Sequence, residues 1–279
     1  MRNIIRKMNE LAKNKSTLSK HIITTFPTES VMQVLQKIVT NNIRRIPVCD
    51  ESDIIGMITT TDLLKLIGKY SFEELEVSEV GRYMSKKVIS GDITDKIKDL
   101  ILLIYNTGIS GIPILQDEKL VSIFTNRDII INEEIWRNIR EEIISSEEGI
   151  GRLISNDNLV GSEKSIHQLI EKFNSSVQRQ MIVQKGNQFL GIISHKSLIR
   201  NLFEKFQKDN LNKLDLFKMS VDSLDYLPFS QRSTPVMVSS CRMWIKSREL
   251  EAFPLFYKGF PVKLITEKDL VGYLANNLY

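Results

Sequence analysis

Apolar residues along the chain alternate between two spacings. Short continuous runs, such as Ile54-Ile55-Gly56-Met57-Ile58, are followed by stretches whose apolar side chains recur every third or fourth position, as in Leu63, Leu64 and Ile67. The first pattern predicts a buried strand and the second an amphipathic helix. A short N-terminal helix is expected over residues 1–14, with Ile4, Ile5, Met8 and Leu11 on one face. A strand at 21–24, a helix with Val31, Val34, Leu35 and Ile38 on one face, strands at 45–49 and 54–58, and a helix after Thr59 then form one unit over 15–70. The same order returns over 78–132, with a strand at 88–90, a helix through Ile97, Leu100, Ile101 and Ile104, and strands at 111–115 and 120–124. A third unit over 149–201 has its helix at Ile166, Leu169, Ile170 and Phe173. In a fourth, degenerate unit over 216–279, Pro228, Ser233, Thr234 and Pro235 are expected to break the first helix. A charged helical linker is expected at 133–148 and a helical connector at 202–215.

Each unit turns from its last strand into its last helix through a similar corner. The four corners are Gly56-Met57-Ile58-Thr59-Thr60-Thr61-Asp62, Ser122-Ile123-Phe124-Thr125-Asn126-Arg127-Asp128, Gly191-Ile192-Ile193-Ser194-His195-Lys196-Ser197 and Lys263-Leu264-Ile265-Thr266-Glu267-Lys268-Asp269. The steps from Pro47 to Thr59, Pro113 to Thr125, Ile182 to Ser194 and Pro254 to Thr266 are equal. A strand, a loop of constant length and a corner recurring every ~65–72 residues mark internal duplication. Alternating strands and helices argue an α/β (α+β) class.

A hydroxyl residue followed three positions later by an acid is a helix-capping signature. The same geometry is also an anion site, because a helix N-terminus presents backbone N–H groups and the positive end of a dipole. A carboxylate there can accept hydrogen bonds from two neighbouring ribose hydroxyls, as one does at strand ends in dinucleotide folds. Both readings stay open from the residues themselves.

Composition narrows the class. At 279 residues, 42% hydrophobic and 26% charged, the chain has the profile of a folded protein. Neither a bilayer-spanning apolar run nor a secretory signal is evident, so the expected location is cytoplasmic. Cys49 and Cys241 lack zinc or disulfide spacing and are expected to be buried apolar residues. His21, His167 and His195 share no ligand spacing and are expected at the surface or in caps, so no metal is expected. Trp136 and Trp244 are expected to pack rather than to stack bases. No nucleophile motif, Walker loop or glycine-rich fingerprint is present, and no enzyme activity is expected. A net charge of +4 permits a polyanionic partner without demanding one.

The corner of the first unit, with Ile46-Pro47-Val48 before it, resembles the CBS (cystathionine β-synthase) domain. That family carries an apolar-Pro-apolar strand and a Gly-apolar-apolar-Thr/Ser-x-x-Asp corner. The resemblance implies four strand-helix-strand-strand-helix repeats paired through their sheets into two pseudo-twofold Bateman modules, copies one with two and three with four. It further implies a non-catalytic sensor of adenosine-containing ligands (AMP, ADP, ATP or S-adenosylmethionine), which requires no cofactor and acts on an effector protein in trans. By the same resemblance, Thr59 and Asp62 hold a ribose whose base lies against Ile109 and Ser110, with Arg44 and Arg45 toward the phosphates. Thr125, Arg127 and Asp128 form a sister site beside Ile43 and Arg44, with Arg127 a further phosphate ligand. Thr266 and Asp269 face Gln178 and Arg179, while Ser197 leaves the third corner empty or weak. Such modules often associate, which makes a homodimer the expected assembly. The alternative is a nucleic-acid-binding protein that presents Arg2, Arg6, Lys7, Lys13, Lys15 and Lys20 to phosphates.

Overall fold

The computed structural model describes residues 22–51, 53–209, 211–227, 232–248 and 251–278. The expected N-terminal helix, its basic residues, His21 and Pro228 lie outside the described residues.

Copy one contains α1 (Val31–Thr40), β1 (Arg45–Asp50), β2 (Asp53–Thr59) and α2 (Thr60–Lys69), followed by α3 (Phe72–Val77). Copy two contains β3 (Gly91–Asp92), α4 (Ile97–Thr107), β4 (Gly111–Gln116), β5 (Lys119–Thr125) and α5 (Asn126–Ile131). After it come α6 (Glu133–Trp136), β6 (Ile143–Ile144) and β7 (Arg152–Leu153). Copy three contains β8 (Leu159–Gly161), α7 (Ile166–Ser175), β9 (Gln180–Lys185), β10 (Gln188–Ser194) and α8 (His195–Asp209), with α9 (Lys213–Lys218) beyond. Copy four contains β11 (Arg232–Ser233), β12 (Val236–Met237), α10 (Val238–Arg248), β13 (Ala252–Tyr257), β14 (Phe260–Thr266) and α11 (Glu267–Asn276).

The two long strands of each copy form an antiparallel hairpin, and the four registers are equivalent. Pro47 faces Met57, Pro113 faces Ile123, Ile182 faces Ile192 and Pro254 faces Leu264. Each hairpin also bulges at the same place, so the equal steps in sequence become equal steps in space. A short parallel segment borders the first strand in every copy. It is a strand in copies two, three and four and a single bridge, Thr25 to Val48, in copy one.

The chain divides into two compact units, Ile23–Val88 with Ile154–Phe229 and Ile89–Leu153 with Ser230–Tyr279. The first therefore holds copies one and three, and the second copies two and four. Helix faces join the copies within each unit: α2 lies against α7 and α8, whereas α11 lies against α4 and α5. The apolar stripes account for this packing. Val31, Val34, Leu35 and Ile38 of α1 and Ile166, Leu169, Ile170 and Phe173 of α7 all lie in the core of the first unit. Ile97, Leu100, Ile101 and Ile104 of α4 lie in the core of the second. Each such side chain contributes about 1.5–3 kcal/mol through burial.

Three local expectations are corrected. The charged stretch 133–148 is not one helix: α6 ends at Trp136, and Ile143–Ile144 pairs instead with Val236–Met237 as a two-stranded ladder. Charged residues of good helix propensity are overridden there by strand pairing that buries Ile144. The first helix of copy four does form, because Pro235 precedes Val238 and so stands outside the helix. The connector expected at 202–215 is split, since α8 runs unbroken from the corner through 15 residues and α9 begins only at Lys213 with Asn212 as its cap.

Candidate functional site

At corner one, Thr59 takes an extended conformation (φ −125°, ψ 165°) and caps α2. Its N–H and its hydroxyl both donate to Asp62 Oδ2, at 2.9 and 2.6 Å. The Asp62 N–H donates back to Thr59 Oγ1 at 3.4 Å, and the Thr60 N–H donates to Arg44 O at 2.9 Å. This network takes up the N–H groups of Thr59, Thr60 and Asp62, leaving the Thr61 N–H outside the cap. The supply of backbone donors for an anion is thus narrower than a bare helix N-terminus offers.

Corners two and four repeat the arrangement. Thr125 donates to Asp128 Oδ2 at 2.8 Å from its N–H and 2.6 Å from its hydroxyl, and Thr266 donates to Asp269 Oδ2 at 2.9 and 2.6 Å. The capping reading is therefore correct at all three corners, where a cap is worth about 1 kcal/mol. It does not exhaust the carboxylates of Asp62 and Asp269, because their cap bonds fall on Oδ2.

Corner three has the same shape with a different atom. Ser197 Oγ accepts from Ser194 N–H at 2.7 Å, and the Ser197 hydroxyl donates to Ser194 O at 3.1 Å. A hydroxyl thus replaces the carboxylate as a cap but supplies no second acceptor oxygen.

The residues that lead into the first long strand lie against the corner of their own copy. Arg44 O, Ser110 O, Arg179 O and Glu251 O accept from the first helical N–H of corners one, two, three and four. Arg45 stands opposite Thr59 in the hairpin register. Ile43, Arg44 and Arg45 are half-buried beside Thr59 and Asp62, and Ile109 and Ser110 are half-buried beside corner two. Gln178 is half-buried, with its N–H on Ser176 Oγ at 2.8 Å, and Arg179 is exposed.

Arg127, expected as a phosphate ligand, is also engaged by protein groups. Its guanidinium donates to Ile245 O at 2.7 Å and Lys246 O at 3.1 Å near the end of α10, and lies 3.8 Å from Glu267 Oε1. His195 is not at the surface, since it is buried, edge-on to Phe173, with Nδ1 3.1 Å from Thr61 Oγ1. Glu251 and Glu267, both buried, were not singled out from the sequence. The signal available was their position, since each occupies a corner-lining place where the other copies carry no acid. Burial pushes the Asp269 carboxyl up from its usual value, opposed by the two Thr266 bonds and by Arg152 and Lys268.

Cys49 and Cys241 are both buried, as expected, and burial raises each thiol, that of Cys241 to about 12. Trp136 packs beneath Arg242 and donates from Nε1 to Ile129 O at 2.9 Å. Among the described residues no group of acids, histidines and cysteines could hold a metal, and no helix is long and apolar enough to cross a membrane.

Four copies of one hairpin-and-corner unit, three of them with a capped carboxylate, define a class of repeat protein built from small α/β modules. Residues 15–69 and 77–133, 112 of the 279, match the family model of the CBS domain. Its fold is similar to that of protein MJ1225 from Methanocaldococcus jannaschii, a protein proposed to be an archaeal homologue of γ-AMPK. That likeness has a TM-score of 0.80 at 21% identity and covers 93% of this chain and 99% of that one. The α+β fold is thus shared with that protein. In sequence, MJ1225 is 25% identical over 140 residues, 47% of this chain and 50% of that protein. YhcV, a CBS domain-containing protein of Bacillus subtilis, is 26% identical over 120 residues, 43% of this chain and 84% of that protein. Homoserine O-acetyltransferase of Methanococcus vannielii is 29% identical over 109 residues, which make up 22% of that enzyme.

Proposed function

We propose that this protein is a non-catalytic regulatory sensor that binds an adenosine-containing ligand at its corner carboxylates and acts on an effector protein in trans. The observation that carries the reading is the one-sided use of Asp62 and Asp269. A carboxylate has about four lone-pair positions, two on each oxygen. The cap fills those of Oδ2 with an N–H and a hydroxyl, which fixes the carboxylate plane and leaves Oδ1 the acceptor for the two vicinal hydroxyls of a ribose. A group so held before ligand arrives loses little freedom on binding. The match of residues 15–69 and 77–133 to the CBS-domain model supports the same reading. Ser197 at corner three offers nothing equivalent, so that corner contributes least.

The test replaces the ligand-facing oxygen while keeping the cap. In Asp62→Asn and Asp269→Asn, the amide oxygen can still accept the cap bonds, and the NH2 group takes the place of Oδ1. Calorimetric titration with AMP, ATP and S-adenosylmethionine should show saturable binding to the wild type. Affinity at the altered corner should fall about 10- to 100-fold, the worth of one or two charge-assisted bonds. Unchanged binding in both variants, at unchanged melting temperature, would reduce the corners to helix caps.

A further inference from the structure

Two corners meet inside each unit, and the residues at which they meet differ. In the unit of copies one and three, Thr61 at the second position of α2 meets His195 at the first position of α8, Oγ1 to Nδ1 at 3.1 Å. In the unit of copies two and four, the same two positions hold Arg127 on α5 and Glu267 on α11, at 3.8 Å. A hydroxyl–imidazole contact is thus replaced by an ion pair at the equivalent place.

The ion pair bears directly on corner two. Arg127 lies between Asn126 and Asp128 on the first turn of α5, so it is the cation nearest in sequence to that corner. Its charge is already opposed on two sides. The Glu267 carboxylate, 4% exposed, faces it, and the carbonyls of Ile245 and Lys246 present the negative end of α10. A buried carboxylate is poorly screened by solvent, so its field reaches an anion bound beside Arg127.

We propose that Glu267 is a specificity-determining residue for the second corner. By neutralising Arg127, it sets that corner against polyphosphates and in favour of adenosine compounds of low or no negative charge. The proposal rests on the adenosine-binding reading above and adds to it the charge class of ligand.

The experiment compares the affinities of adenosine and ATP, at one salt concentration, in the wild type, Glu267→Gln and Arg127→Gln. The isotherm lost in Asp128→Asn identifies corner two. Glu267→Gln should tighten ATP about tenfold, the worth of one charge-assisted contact, with adenosine moving less than about twofold. Arg127→Gln, which leaves the carboxylate unopposed by that cation, should weaken ATP about tenfold and again spare adenosine. An ATP-to-adenosine ratio unchanged in either folded variant overturns the proposal, as does a parallel shift of both ligands. Should the wild type bind neither ligand, the sensor reading itself fails, which is a distinct result from an unchanged ratio.

Discussion

The two units solve one backbone problem in opposite ways. Just after each bulge, on the second strand of the hairpin, lies a position over which another segment of chain passes in three of the copies. In the unit of copies one and three that position is glycine both times. Gly56 and Gly191 admit the crossings in which Met57 exchanges hydrogen bonds with Ser85 and Ile192 with Leu227, all at 2.9–3.0 Å. In the unit of copies two and four the position holds Ser122 and Lys263, both buried. Lys263 reaches past the crossing, donating from Nζ to Glu148 O at 2.6 Å and Gly149 O at 3.3 Å. One unit makes room by omitting a side chain, and the other carries a long one that brings its own donors. With an ion pair at its corner junction as well, the second unit is the more polar and the less symmetric of the two.

The largest expected effect comes from closing the gap in the first unit. A Cβ on Gly191 would lie 2.8 Å from Tyr226 Cδ2 and 2.9 Å from Leu227 O, and the backbone oxygen cannot rotate away. Gly191→Ala should cost about 1–3 kcal/mol, the range for overpacking. Ser122→Ala, at the equivalent place in the other unit, removes a buried hydroxyl that has no hydrogen-bond partner. It should be neutral or stabilising by up to about 1 kcal/mol. Urea denaturation of the two variants reads the contrast, and a Gly191→Ala variant as stable as the wild type would break it.

A smaller effect is expected at Lys263. Burial holds its ammonium below the ordinary value of 10.5, with Glu148 acting in the other direction. The unfolded chain therefore keeps this proton to higher pH than the folded one, so stability rises with pH between the lowered value and 10.5. Lys263→Met should lose the two carbonyl bonds, costing about 1 kcal/mol at neutral pH because the desolvation penalty disappears with them. Its deficit should widen as pH climbs toward 10.5. A deficit that narrows instead would mean that the folded state favours the ammonium.

Much of this architecture is written in local spacing. The faces of α1, α4 and α7 were readable because an apolar residue every third or fourth position has one burial solution on a helix. The corners were readable because a hydroxyl and an acid three residues apart fit only a helix start. What escaped has no local signature. The union of copies one and three in one compact unit depends on which helix faces meet, and similar stripes on all four copies do not choose among partners. Residues 133–148 have helical composition, and only pairing with Val236–Met237, distant in sequence, makes Ile143–Ile144 a strand. His195 and Glu267 occupy the most variable corner position, so nothing in the motif marked them as the contacts between corners.

The smallest expected effect tests whether the polarity of the second unit extends to its helix contacts. Glu133, at the start of α6, lies 2.9 Å from Arg242 and beside Lys246, both on α10. Hydrogen bonds from Arg242 and then Lys246 hold its carboxyl well below the usual 4.5, at about 2. Because the folded value is depressed, the stabilisation is present above 4.5 and is lost as pH falls toward about 2. The side chain is 63% exposed, so solvent screening leaves only a few tenths of a kcal/mol, as for surface pairs generally. Glu133→Gln should accordingly lower stability by less than about 0.5 kcal/mol at pH 7 and flatten the acid limb between pH 4.5 and about 2. Arg242 would keep its bond to Ile130 O at 2.7 Å, so α10 stays attached to α5 in the variant. An acid limb as steep in Glu133→Gln as in the wild type would assign the loss of stability below pH 4.5 to other carboxylates, and the charged contact between α6 and α10 would then hold nothing measurable.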